Sequence, residues 1–191
     1  AELSFEEPSL DALSSCDLVF YATPNKIAMT ETRALLDRGV RVIDLAADFR
    51  FGDVALWEAA YGGQHGAPDL LHEAVYGLPE KYRDQIARAR IVGNPGCYPT
   101  ATALALMPLV EAKALRESNV IVDGKSGASG AGRSARADLI VAEASDNFHA
   151  YAAEGHRHEP EMAHQISKMG QDVSVTFVPH LLPMIRGIEA V

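Results

Sequence analysis

The chain has 191 residues, 48% of them hydrophobic and 23% charged, a balance that buries a core and excludes a disordered tail or a coiled coil. Lys and Arg number 17 against 26 Asp and Glu, a net charge of -9, which speaks against a general nucleic-acid or anionic-membrane binder. No apolar run nears the roughly 18 residues needed to cross a bilayer, and the acidic opening does not suit a signal peptide, so a cytoplasmic protein is expected.

The chain opens without Met and with no GxGxxG near its start. A missing first strand and phosphate-binding turn of a dinucleotide fold are therefore expected, and the last residues read as sheet and turn broken off. Residues 17–22 are a short apolar run closed by Thr23 and Pro24, a buried strand ending in a loop. A helix over 26–38 follows, stopped by Gly39, and 40–45 is a second strand, so the three make a βαβ unit on a parallel sheet. Residues 46–79 are loop-rich, with short helices expected at 54–61 and 79–89.

Ile91–Gly93 reads as a brief strand running into Asn94-Pro95-Gly96-Cys97, and a helix over 100–115 is expected, kinked or interrupted by Pro108. Then come a strand at 119–123 opening into a glycine-rich loop, helices at 137–144 and 159–169, and a strand at 172–178. These no longer alternate on a βαβ schedule. The expected fold class is α/β: a partial Rossmann-type parallel sheet in residues 1–96, followed by a mixed α+β domain in residues 97–191.

Cys16 and Cys97 form no CxxC pair, so disulfide stapling is not expected and each thiol is judged by its surroundings. Cys97 stands between a strand and a helix, near unpaired backbone N–H groups and the positive end of the helix dipole, which stabilise negative charge on sulfur. That is a place for a nucleophile; the competing reading is a small buried side chain. Gly155-His156-Arg157-His158-Glu159-Pro160-Glu161 offers imidazoles for proton transfer. In an extended segment, His156 and His158 face the same way; the competing reading is a solvated helix start. Gly127, Gly130 and Gly132 follow a strand, where small residues expose backbone N–H groups to an oxyanion or a planar ring. Lys125, Arg133 and Arg136 flank them. His156, His158, Glu159, Glu161 and His164 also suggest metal ligands, but HExxH and paired cysteines are absent, and no metal is expected.

Residues 93–100 (GNPGCYPT), 126–133 (SGASGAGR) and 156–161 (HRHEPE) together resemble the N-acetyl-gamma-glutamyl-phosphate reductase family, as do 45–50 (LAADFR) and 77–80 (GLPE). The order and spacing agree over nearly the whole chain, and the chain is more distantly similar to the aspartate-semialdehyde dehydrogenase superfamily. The resemblance implies an NADP-binding domain and a catalytic domain that also builds a homo-oligomer. It implies reduction of a small-molecule acyl phosphate to an aldehyde in arginine biosynthesis, with neither nucleic acid nor membrane as partner. Cys97 matches the family's nucleophile, passing through a thioester, and His156 its acid/base, with His158 beside it. Ser126, Gly127, Ser129, Gly130, Ala131 and Gly132 match a segment against the nicotinamide, and Thr23 and Pro24 end a strand where a nucleotide meets such a sheet. Asn94, Arg50, Arg133 and Arg186 are the substrate-binding candidates. These residues do not separate a glutamyl from a one-carbon-longer aminoadipyl substrate. Rival readings are a cofactor-free cysteine hydrolase or acyltransferase on Cys97 and His156, a metal-binding module, and a non-catalytic binding protein.

Overall fold

The computed structural model describes residues 4–191. Two compact units divide it, the first ending at Pro95 and the second beginning at Gly96. In the first, α1 (Leu10–Leu13) is capped by the Ser9 hydroxyl, which accepts the Ala12 N–H at 3.1 Å. There follow β1 (Leu18–Tyr21), α2 (Ala28–Asp37), β2 (Arg41–Asp44), α3 (Val54–Tyr61), β3 (Val75–Tyr76), α4 (Pro79–Arg88) and β4 (Ile91–Gly93). The strands lie in the order β1-β2-β4-β3, all parallel. Gly39, at φ 81°, ends α2 in a conformation that glycine adopts without strain.

The core of this unit gathers Val19, Leu35, Val42, Phe49, Phe51, Trp57 and Ile91. Two fully buried carboxylates shape the loop after β2. Asp44 accepts the N–H groups of Ala46 at 2.9 Å and Asp48 at 2.8 Å. Asp48 accepts those of Lys26 at 2.8 Å and Met29 at 3.1 Å, capping α2 from a distance where the helix's own N-cap, Ile27, offers no oxygen. The loop then crosses β4 so closely that a Cβ at Gly93 would lie 2.0 Å from the Phe49 carbonyl oxygen.

The second unit comprises α5 (Cys97–Glu111), β5 (Asn119–Ser126), α6 (Val141–Ala144), β6 (His149–Ala150), α7 (His158–Met169), β7 (Ser174–Leu181) and β8 (Ile188–Ala190), with single 3₁₀ turns at Ala128–Ala131 and Ala137–Leu139. Its sheet is mixed, in the order β6-β7-β5-β8: β5 and β7 run parallel, and β6 and β8 add antiparallel edges. One face buries Val122, Gly124, Val175 and Phe177 under the helices; a Cβ at Gly124 would come within 2.6 Å of the Tyr98 ring. The opposite face leaves Ile121 68% exposed. The parallel and mixed sheets are the α/β architecture expected from the sequence.

Several boundaries differ from expectation. The helix expected from residue 100 starts at Cys97, because Pro99 falls in its first turn, where a missing N–H costs nothing. Pro108 does not interrupt it: it lies near the last turn on an exposed side, where solvent can take the carbonyl it leaves unpaired. β5 continues three residues past the expected end, through Gly124 and Lys125 to Ser126, since Gly124 is needed beneath Tyr98.

Candidate active site

An α-helix leaves its first four N–H groups without partners of its own. At α5 these fall on Gly96, Cys97, Tyr98 and Pro99. The Gly96 N–H donates to Glu161 Oε1 at 2.9 Å, and Pro99 has none to give. The Cys97 and Tyr98 N–H groups therefore remain beside the sulfur, at the positive end of a 15-residue helix. The Cys97 side chain is exposed, not packed in the core, and it lines a cavity of about 180 Å³ together with His156 and His158. Cys16 is also exposed, outside any helix.

The two imidazoles arrive by a route other than the extended segment expected. His158 is the first residue of α7, and its backbone N–H donates to His156 Nδ1 at 3.1 Å, closing a tight turn. Turned this way, the rings still converge, with centroids 4.7 Å apart. The bond fixes the proton of neutral His156 on Nε2, because Nδ1 is an acceptor. Burial, and then the Arg157 charge, lower the His156 pKa to about 4, so the ring is neutral at pH 7. Phe177 lies 5.2 Å and Tyr151 6.0 Å from its centroid. His158 is 7% exposed and packs on Gly96: a Cβ there would stand 2.7 Å from its Nε2.

The glycine-rich turn closes another wall of the cavity with Ser126, Gly127, Gly130 and Ala131. Its N–H groups, expected to face a ligand, are instead used within the protein. Gly127 donates to Gly187 O at 3.0 Å, Ala128 to Met184 O at 2.9 Å and Ser129 to Ile185 O at 2.9 Å. Glycine at 127 is required by this clamp, for a Cβ would lie 2.8 Å from the Arg186 nitrogen. What the turn adds to the cavity wall is small residues: Ser126, Gly127, Gly130 and Ala131. Ser129 and Gly132 line a neighbouring, mostly apolar cavity of about 780 Å³.

The remaining sequence candidates are not among the residues lining the Cys97 cavity. Arg133 and Arg186 lie on exposed turns. Arg50 and Asn94 belong to the first unit, where Arg50 Nε donates to Asn94 O at 2.7 Å and the Asn94 N–H to Asp44 O at 2.8 Å. Thr23 and Pro24 follow β1 there, and the buried Thr23 hydroxyl has no hydrogen-bond partner among the described residues. Around Cys97 the structure brings Arg136, already marked beside the glycine turn, and adds Arg157, Tyr98 and Tyr151. The tyrosine hydroxyls stand 3.3 Å apart, and burial pushes the Tyr98 phenol far above its ordinary range. Arg157 sits inside the HRH motif, a signal that could have marked it. Among the described residues no three His, Cys, Asp or Glu side chains are grouped to hold a metal, and no helix is long and apolar enough to cross a membrane.

Residues 97–191 match the semialdehyde dehydrogenase dimerisation domain, and residues 1–89 the semialdehyde dehydrogenase NAD binding domain. The N-acetyl-gamma-glutamyl-phosphate reductase of Aromatoleum aromaticum is 57% identical over 190 residues, 99% of this chain and 56% of that protein. The protein of the same name from Nitrosospira multiformis is 55% identical over 190 residues, again 99% of this chain and 56% of the relative. The chain thus spans about 56% of the length of the curated relatives it matches. Aspartate semialdehyde dehydrogenase II from Vibrio cholerae superposes with a TM-score of 0.64 at 17% identity, over 92% of this chain and 54% of that one. The NADP-bound aspartate semialdehyde dehydrogenase of Candida albicans gives 0.56 at 15%, over 92% and 50%. Identities this low carry the fold alone. Two domain models in sequence order, and more than half of the residues shared with proteins of that name, place the chain in the N-acetyl-gamma-glutamyl-phosphate reductase family.

Proposed function

We infer that the protein reduces N-acetyl-glutamyl 5-phosphate to N-acetyl-glutamate 5-semialdehyde and phosphate, a step of arginine biosynthesis, in the cytoplasm and with NADPH as reductant. The observation that carries this reading is an exposed thiol at the N-terminus of α5 sharing one cavity with two imidazoles. The Cys97 sulfur attacks the acyl carbon, the new C–S bond replaces the C–O bond to phosphate, and phosphate leaves with that electron pair. The carbonyl oxygen gains negative charge in the tetrahedral intermediate, where the Cys97 and Tyr98 N–H groups stabilise it. His156, neutral and protonated on Nε2, is a further donor to that oxygen. When bound, a nicotinamide cofactor supplies the hydride that the side chains cannot. After reduction, the C–S bond breaks and Cys97 departs as thiolate, leaving the aldehyde.

In the second unit Ser126, Gly127, Ser129, Gly130, Ala131 and Gly132 would hold the nicotinamide end of the cofactor; in the first unit, taken by itself, Thr23 and Pro24 at the end of β1 are the nucleotide-binding candidates. Arg157 and Arg136, the latter also paired with Asp138, line the cavity and join Arg133 and Arg186 as candidates for the anionic groups of the substrate. A second copy of the chain covers the open face of the β6-β7-β5-β8 sheet. The reading is supported by that exposed Ile121 face and by the match to a dimerisation domain.

The test is Cys97→Ser in the full-length protein, assayed for phosphate-dependent reduction of NADP by the semialdehyde. A loss of about a thousandfold or more is expected for removal of a covalent nucleophile, with the Tm unchanged. Normal turnover would overturn the thioester route. Hydrolysis of an activated ester without any nucleotide would favour the cysteine hydrolase instead.

A further inference from the structure

A nucleophile at a helix start is only as well placed as the residue before it. Gly96 is the N-cap of α5 and brings no side chain to fix itself. Its peptide is held instead from α7, on two sides. The Gly96 N–H donates to Glu161 Oε1 at 2.9 Å, and the His158 ring rests against its Cα, where a Cβ would meet Nε2 at 2.7 Å. Glu161 follows His158 by one helical turn and is fully buried. A buried carboxylate costs too much to leave without strong partners, and a charge-assisted bond to a backbone N–H is short and directional.

We propose that Glu161 is a positioning residue for Cys97: its carboxylate, accepting from the Gly96 N–H, ties the N-cap of α5 to the helical turn that carries His158. Thiol and imidazole are thereby set against each other by one helix, not by two independent loops. This rests on the reading of Cys97 as nucleophile, but the contact can be tested without the reductase reaction. Glutamine at 161 keeps an oxygen at the same reach, whereas methionine keeps the length and removes the acceptor.

The experiment compares Glu161→Gln and Glu161→Met by the rate of iodoacetamide alkylation at Cys97, resolved by peptide mass spectrometry, with Cys16 as internal control. A displacement near 1 Å at a reacting group costs about a hundredfold. Glu161→Met should therefore slow Cys97 at least tenfold while leaving Cys16 unchanged, and Glu161→Gln should stay within about threefold of the parent. In the full-length protein, Met should lower kcat by a similar factor with KM within about threefold, and Gln should restore it. Parent-like alkylation in both variants overturns the proposal, as does equal loss in both, which would assign the effect to charge. An inactive parent whose alkylation still separates Met from Gln would refute the reductase reading and leave this one standing. If Glu161→Met does not fold, amide exchange in the parent decides: the Gly96 N–H should exchange about a hundredfold or more slower than an open peptide, and exchange at the open-peptide rate overturns the contact.

Discussion

His156 has its protonation set by what surrounds it. Burial, and then the adjacent Arg157 charge, bring its pKa down to about 4, and the His158 N–H at 3.1 Å occupies Nδ1. Near neutral pH the ring is therefore neutral with its proton on Nε2, and its titration is not expected to give a pH–rate limb between 5 and 8. The same shift has a stability consequence. Folding favours the neutral ring, so its contribution is present above the unfolded value near 6.5 and is lost as pH falls from there toward 4. His156→Gln should flatten that part of the profile. Urea unfolding at pH 7, 6, 5 and 4 would show the parent losing stability relative to the variant as pH drops; a constant difference would place the imidazole in a wetter setting than the structure gives it.

The loop after β2 shows how elements are stitched by groups that leave little trace in sequence. Asp44 sits at the end of the strand, and burial, with the neighbouring Asp48 charge, raises its pKa to about 6 against three backbone donors that lower it. Here folding favours the protonated acid. Its stabilisation is complete below about 4 and is lost as pH rises through 6, opposite in sign to His156. Trp57 is the single tryptophan, fully buried in the first unit, so its fluorescence reports this unit. Asp44→Asn mimics the protonated form. The parent should lose stability relative to it between pH 4 and 6, and an unchanged difference across that range would contradict the raised pKa.

The βαβ unit, the strand into Cys97 and the helix beyond were legible because apolar periodicity, Gly39 and Pro99 are local signals. Cys97, His156 and His158 were picked out by residue type, and the structure brings them to one cavity. The occupied N–H groups of the glycine turn were not, since their partners lie far on in the chain, as in Gly127 to Gly187 and Ala128 to Met184. Nor was Glu161 as a clamp: its sequence neighbours suggest a metal ligand or a solvated helix start, and only folding brings it to Gly96. The two-residue strand β3 is likewise too short to carry a pattern.

At the scale of the assembly, the open sheet face is the feature that a partner must explain. Ile121 pairs with Thr176 in register, and both lie on the side away from α5 and α7. Around them Lys125 and His180 both contact Asp123, at 2.7 and 3.0 Å, and Phe148 stacks on the His180 ring at 4.9 Å. An aliphatic centre bordered by paired charges and an aromatic side chain is the make-up of a protein interface, with an apolar middle and a polar rim. The proposed second copy, packed on this face, would close a two-fold dimer. Placing a charge at its centre costs desolvation in the assembled state and nothing in the isolated chain. Ile121→Lys should therefore shift sedimentation of the full-length protein to a smaller species by raising the dissociation constant at least a hundredfold, roughly 2.7 kcal/mol. Because Ile121 points away from the Cys97 cavity, the alkylation rate at Cys97 should not change. A variant that sediments as the parent does would put the second copy on another surface, and the face of β5 and β7 would then need a different occupant.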